Sequence, residues 1–191
     1  IFMGDSAGFE NQAGARNTYI GVSAGHSSTT ADDNVFIGSS AGFKNQIGCN
    51  NVLIGNVVGF NNISGGSNVF LGNQSGYSNE SGSTNIFIGF ETGFYNKSGG
   101  GNVFMGERTG YANISGNNNI FISDYAGLQN TTGYENIFMG HYSGYYNIDG
   151  FSNIMIGNRS GYLSHSGDNN VFLGNYSGYS TDSGRYNVFI G

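Results

Sequence analysis

The chain has 191 residues, of which 35 are Gly, 28 Asn, 15 Phe and 13 Tyr, and it lacks Pro and Trp. Only 9% of residues are charged, the formal net charge is −6, and Lys and Arg together number six; this composition excludes a conventional helical protein and a nucleic-acid surface. The 15% aromatic content argues against simple disorder, no apolar run is long enough to cross a membrane as a helix, and the single Cys49 can form neither an internal disulfide nor a zinc site alone.

Asn recurs at 17, 34, 51, 68, 85, 102, 119, 136, 153, 170 and 187, each step being 17 residues with no insertion. A fixed period of this kind marks units that stack on one another. With that Asn as slot one, residues 1–16 are a first copy lacking its Asn, and 187–191 open a twelfth. In each copy, slots two to four are β-branched, aromatic and aliphatic, from Phe2-Met3 through Val69-Phe70-Leu71 to Val188-Phe189-Ile190, and a Gly ends the run in all but one copy. That pattern predicts a short strand. A second extended stretch is expected at slots seven to ten, such as Gln74-Ser75-Gly76-Tyr77, and turn chemistry at Asn79-Glu80-Ser81-Gly82. Slot nine is Gly in all eleven copies, so a helix would cross several glycines at about 1 kcal/mol each. The expectation is an all-β parallel solenoid of about eleven 17-residue coils spanning residues 1–191 as one array. Because it starts and stops mid-pattern, it reads as a segment of a longer chain.

Seventeen of the eighteen charged residues fall in the variable slots six, seven, eleven, thirteen, sixteen and seventeen, with Asp149 the exception. Those slots are read as surface, and the Asn columns of slots one and twelve as stacked side-chain amides. Strand side chains alternate, so Val, Ile, Leu and Met in slots two and four are assigned to the inside of the coil and slot three to the outside. Slot three then forms a column including Phe36, Phe70, Phe87, Phe104, Phe121, Phe138 and Phe172, too large an apolar stripe for an isolated chain. These phenylalanines are the expected oligomer interface, with three chains as the preferred number. The alternative is a wider coil that buries slot three.

The segments Asn34-Val35-Phe36-Ile37-Gly38 and Asn187-Val188-Phe189-Ile190-Gly191, together with the small-residue–Gly pair that follows, resemble the head repeats of trimeric autotransporter adhesins, the YadA-like heads. Similar Asn- and Gly-rich repeats occur in fibre proteins that end in an endosialidase-type chaperone. The resemblance implies a left-handed β-roll, a homotrimer, an extracellular place on a cell surface or virion fibre, and binding to host-surface or matrix receptors. This chain departs from the adhesin pattern in its longer repeat and in carrying Phe and Tyr where those heads carry small residues.

Catalytic constellations are not visible. His26, His141 and His165 occupy three different slots, and Glu107 and Asp124 share slot six as two solvated acids. No metal-binding or phosphate-loop spacing is present, so no cofactor or metal and no enzymatic activity are expected. The Asn-x-Ser/Thr sequons at Asn62, Asn79, Asn96, Asn113 and Asn130 are read as turn geometry. Slot seven reads Glu91, Arg108, Tyr125, Tyr142, Arg159, Tyr176 on six successive coils, and Tyr and Arg are the residues enriched at binding hot spots. Arg108, Tyr125, Tyr142, Arg159 and Tyr176 are therefore the candidate receptor-binding residues, with a host glycan or a surface or matrix protein as partner. Tyr134, Tyr146, Phe151 and Tyr186 add aromatics to the same half. Two alternatives stand beside the adhesive reading: a purely structural filament or tail-fibre module with no receptor, and an enzyme on a solenoid scaffold, which needs an acidic cleft.

Overall fold

The computed structural model describes all residues from 1 to 191 and contains no helix. Its strands are β1 (Phe2–Met3), β2 (Thr18–Ile20), β3 (Val35–Ile37), β4 (Val52–Ile54), β5 (Val69–Leu71), β6 (Ile86–Ile88), β7 (Val103–Met105), β8 (Ile120–Ile122), β9 (Ile137–Met139), β10 (Ile154–Ile156), β11 (Val171–Leu173) and β12 (Val188–Ile190). They pair in sequence order into one twelve-stranded parallel sheet. The register never slips: Val103 pairs with Ile120, Phe104 with Phe121 and Met105 with Ile122, and Ile120 in turn with Ile137. The chain is a parallel β-solenoid with 17-residue coils, as its repeat predicts.

Each strand ends at slot four because slot five takes φ between 114° and 146° wherever it is Gly. L side chains rarely adopt that conformation. A Cβ on Gly4 would also lie 2.5 Å from the carbonyl oxygen of Gly21 in the next coil. The expected second strand at slots seven to ten does not form. Slots seven and nine both sit near φ +57°, from 50° to 63°, and two left-handed residues one apart fold an extended segment into a turn. The coils remain bonded there nonetheless. Gly93 N–H donates to Thr109 O at 3.0 Å, Tyr95 N–H to Tyr111 O at 3.0 Å and Arg108 N–H to Phe90 O at 2.8 Å. Of 127 backbone hydrogen bonds only 21 join strand residues, so coil-on-coil pairing through the turns holds the rod more than the sheet does.

The interior differs from the expected one. Phe36, Phe70, Phe87, Phe104, Phe121, Phe138 and Phe172 are each fully buried within the single chain, at 0% exposure. They form the core and cannot be an oligomer interface. Slots two and four face outward instead: Ile54, Ile86, Met105, Ile120, Met139 and Ile156 are 37–39% exposed. Alternation along a strand allows either assignment, and slot nine decides between them. The Cβ of an alanine at Gly93 would lie 2.5 Å from Phe87 Cε2, so the missing side chain is the space that the ring fills. Small residues at slot eight, such as Ala41, Ser75, Thr92, Ala126 and Ser160, complete the wall and are buried. Rings stack coil on coil, with centroids 4.6–4.9 Å apart from Phe70 to Phe138, matching the spacing of paired strands.

The other half of the interior is polar. In slot one, Asn34 N–H donates to Asn17 Oδ1 at 2.9 Å, and the same bond recurs up the rod to Asn187 on Asn170 at 3.0 Å. Its Nδ2 donates to the slot-fifteen carbonyl, as Asn102 does to Gly116 O at 2.8 Å. In slot twelve, Asn62 Nδ2 donates to Asn45 Oδ1, Asn79 to Asn62, Asn96 to Asn79, Asn113 to Asn96, Asn130 to Asn113 and Asn147 to Asn130, at 2.6–2.9 Å. The run ends where Ser164 replaces Asn. Asn147 Oδ1 and Ser164 Oγ are then left without partners, and so is Asn11 Oδ1, which faces Ser28 instead of an Asn. The sequon asparagines 62, 79, 96, 113 and 130 are all 0% exposed, so their role is this ladder rather than glycan attachment in the folded protein.

The ring column and the asparagine ladders fix the outcome of three substitutions. Gly93→Ala combines a ring clash with left-handed backbone and should destabilise by at least about 2 kcal/mol, read as a lower denaturant midpoint or melting temperature. Ser164→Asn should donate to the stranded Asn147 Oδ1 and raise stability by about 1 kcal/mol, a shift of a few degrees in melting temperature. Asn96→Ala should lower it by more, because it removes the donor to Asn79 Oδ1 and the acceptor of one Asn113 Nδ2 hydrogen, while Gly99 O keeps only its bond from Asn85 Nδ2.

Candidate binding surface

Slot seven adopts φ between 50° and 61° in every copy, yet Gly never occupies it. Left-handed backbone costs roughly 1–2 kcal/mol for an ordinary residue. The side chains there point away from the core and meet their equivalents on the next coil, so a strained backbone carries a continuous surface column. From Ser6, Ser23 and Ser40 at one end it changes to Tyr125, Tyr142, Arg159 and Tyr176 at the other.

The five residues singled out by sequence lie along this one column, and Tyr125, Tyr142, Arg159 and Tyr176 touch in succession. Arg108 Nε donates to Glu91 Oε2 at 2.6 Å, and its guanidinium lies 5.9 Å from the ring centres of Phe90 and Tyr111. The Tyr125 hydroxyl donates to Glu107 Oε1 at 2.8 Å, while Tyr125 and Tyr142 stack at 5.2 Å. Arg159 is inserted between Tyr142 and Tyr176, with its guanidinium carbon 5.6 Å from each ring centre, and Nη1 donates to the Tyr176 hydroxyl at 2.9 Å. Contacts of this kind hold the guanidinium beside the two rings and engage only one of its five N–H groups.

Sequence reasoning missed that slot ten joins the same face. Slot nine turns left-handed, which brings slot ten beside slot seven: Tyr142 lies 5.4 Å from Tyr145 and Tyr176 5.7 Å from Tyr179. Tyr145, Tyr162 and Tyr179 stack at 5.2 Å, with Tyr146 edge-on to the first two. His141 packs edge-on against Tyr142 at 4.1 Å. The available signal was the pairing of Tyr142 with Tyr145 and of Tyr176 with Tyr179 three residues apart in the same coils. Of the additional aromatics, Tyr146 belongs to this face. Tyr134 and Phe151 stack on each other at 4.9 Å in slot sixteen, apart from it, and Tyr186 stands 80% exposed near the end of the array.

The charged groups sort by partner. Arg16 pairs with Asp33, Arg108 with Glu91, Arg185 with Asp168 and Lys97 with Glu80, whereas Arg159 has no carboxylate within ion-pair distance. The two slot-six acids are engaged locally: Asp124 Oδ1 accepts from the Glu107 N–H at 2.8 Å, and Glu107 accepts from Tyr125. Asp168 is the one buried acid, at 5% exposure. It lines a depression of about 350 Å³ with Asp149, Phe151, Ser166 and Arg185, remote in slot position from the tyrosine column. The hydrogen bond to Glu107 raises the Tyr125 phenol above its ordinary value, and burial raises those of Tyr145 and Tyr162. Glu91, by hydrogen bond and charge, holds Arg108 more firmly protonated.

No family model, no curated protein and no solved structure matches this chain.

The raised phenols set a pH dependence. A group with folded pKa above its unfolded value favours the folded state while protonated, so its contribution is complete below the ordinary tyrosine pKa, about 10, and is lost as pH rises through the higher folded value. Ultraviolet titration should show a late-ionising class of tyrosines that is diminished in a Tyr145→Phe, Tyr162→Phe double variant. Folded stability should fall on the alkaline side in the same range.

Proposed function

We propose that this chain forms the rigid body of an extracellular adhesive fibre, assembling with copies of itself, preferably as a homotrimer, and presenting its tyrosine–arginine column to a host glycan or a surface or matrix protein. The observation that carries the reading is the column itself. Large Tyr and Arg side chains occupy a backbone position that Gly would fill without strain, and three coils at the opposite end use Ser there. The fold therefore does not require those side chains, and they are the residue types that dominate binding hot spots.

Self-association rests on slots two and four, the outward face of the parallel sheet. Of its 24 positions, every one but Thr18 is Val, Ile, Leu or Met, and none is charged. Twelve strands at about 4.8 Å make a face of roughly 53 Å by ~10 Å, about 500 Å², in the range of the largest apolar patches on soluble monomers, which are often functional. Both faces of an all-parallel sheet are ordinarily covered. A ring of identical chains turning this face to a common axis would cover it symmetrically. The slot-three phenylalanines, already inside each coil, take no part.

Light scattering at micromolar concentration should report three times the 20.2 kDa chain mass. A paired charge insertion on the sheet face, Val103→Lys with Ile120→Lys, should release monomers that keep their β-type circular dichroism. For adhesion, Tyr125→Ser, Tyr142→Ser and Tyr176→Ser together should reduce binding to a glycan or host-surface array at least tenfold without unfolding the rod, since Ser is native to that slot in three coils. Undiminished binding by the triple variant would remove the tyrosine column as the binding surface, and a chain that binds nothing on any array would favour the purely structural filament.

A further inference from the structure

We infer that the column has a specific anion subsite centred on Arg159, and that it takes a saccharide bearing a carboxylate. This deepens the adhesive reading above and rests on it. Arg159 is the arginine without a carboxylate partner in a chain whose other three arginines are all paired. Its one hydrogen bond within the protein is from Nη1 to the Tyr176 hydroxyl. A guanidinium has five N–H donors, so four are left without a partner in the chain, while the rings of Tyr142 and Tyr176 lie 5.6 Å from its carbon on either side.

The surroundings are depleted of negative charge in a protein that is otherwise acidic. Over the three coils centred on Arg159, slot six holds His141, Asn158 and Asn175, slot seven Tyr142, Arg159 and Tyr176, and slots ten and eleven carry no acid. The nearest acid in those slots, Asp124, is two coils away, about 10 Å along the rod. It also already accepts from the Glu107 N–H. Arg108, by contrast, is neutralised by Glu91 in its own column. One arginine has thus been left unpaired where a ligand can supply the counter-charge.

A planar guanidinium matches a carboxylate in bidentate fashion, and its charge-assisted bonds are the stronger kind. The flanking phenols of Tyr142 and Tyr176 offer hydroxyls for sugar hydroxyl groups, and the amides of Asn158 and Asn175, beside them in slot six, offer both donors and acceptors. A carboxylated sugar uses the fork and its polar neighbours at once, whereas a neutral sugar leaves the guanidinium edge with water.

The test pairs uronate- and sialate-terminated oligosaccharides with their own methyl esters, and adds sulfated analogues, against the intact protein in titration calorimetry or on an array. The acid forms should bind at least tenfold more tightly than their esters, and the difference should shrink with salt. Arg159→Gln, which places a residue native to this slot at Gln74, should abolish the tenfold preference of acid over ester; Arg159→Lys should retain part of it. Equal binding of acid and ester, or a preference that survives Arg159→Gln, overturns the subsite while leaving the adhesive reading in place. Sulfated sugars bound as tightly as carboxylated ones overturn the carboxylate assignment. Absence of binding to every saccharide overturns the subsite and the glycan reading together.

Discussion

Register is the constraint on which the molecule depends. Every coil repeats after 17 residues because each interior position must meet its own kind above and below: ring on ring, amide on amide, carbonyl on N–H. The inside is only one aromatic ring wide. Beside that ring lie two columns of asparagine, whose amides supply the donors and acceptors that buried backbone at turns would otherwise lack. One inserted residue would displace all three columns at once, and no copy contains one.

Two departures from the interior pattern come as matched pairs. Tyr19 replaces Phe in slot three, and its buried hydroxyl meets the Ser28 hydroxyl at 2.7 Å where most coils have Asn. Leu53 replaces Phe with a smaller group, and Val58 in the same coil is the bulkiest buried residue of slot eight. Where the match fails, at Asn147 and Ser164, polar atoms are left without partners. These pairs separate packing from function within a single sequence: slots three, eight and twelve vary together, while slot seven varies alone.

The repeat, the strands, the parallel pairing and the amide columns were all legible in the sequence, because each depends on spacing or on local residue chemistry. The direction of slot three was not. Period-two alternation states that Phe104 opposes Val103 and Met105 but not which side is inside, and bulk suggested the wrong one. The answer lay in Gly110, whose absent side chain makes room for the Phe104 ring; an invariant glycine six residues from an aromatic is a packing signal as well as a turn signal. The second strand failed for a related reason, since Ser, Gln, Glu, Arg and Tyr at slot seven give no hint of left-handed backbone. The candidate surface was half legible. Its slot-seven members follow from periodicity, but Tyr145, Tyr162 and Tyr179 join them only through the turn at slot nine.

Because each coil touches only the one before and the one after, the number of coils is not fixed by the packing of any of them. A whole 17-residue unit could be gained or lost, and the flanking coils would close on one another in the same register. Rod length is thereby uncoupled from foldability. The reach of the molecule can change in steps of one strand spacing while each retained coil keeps a neighbour of the same register.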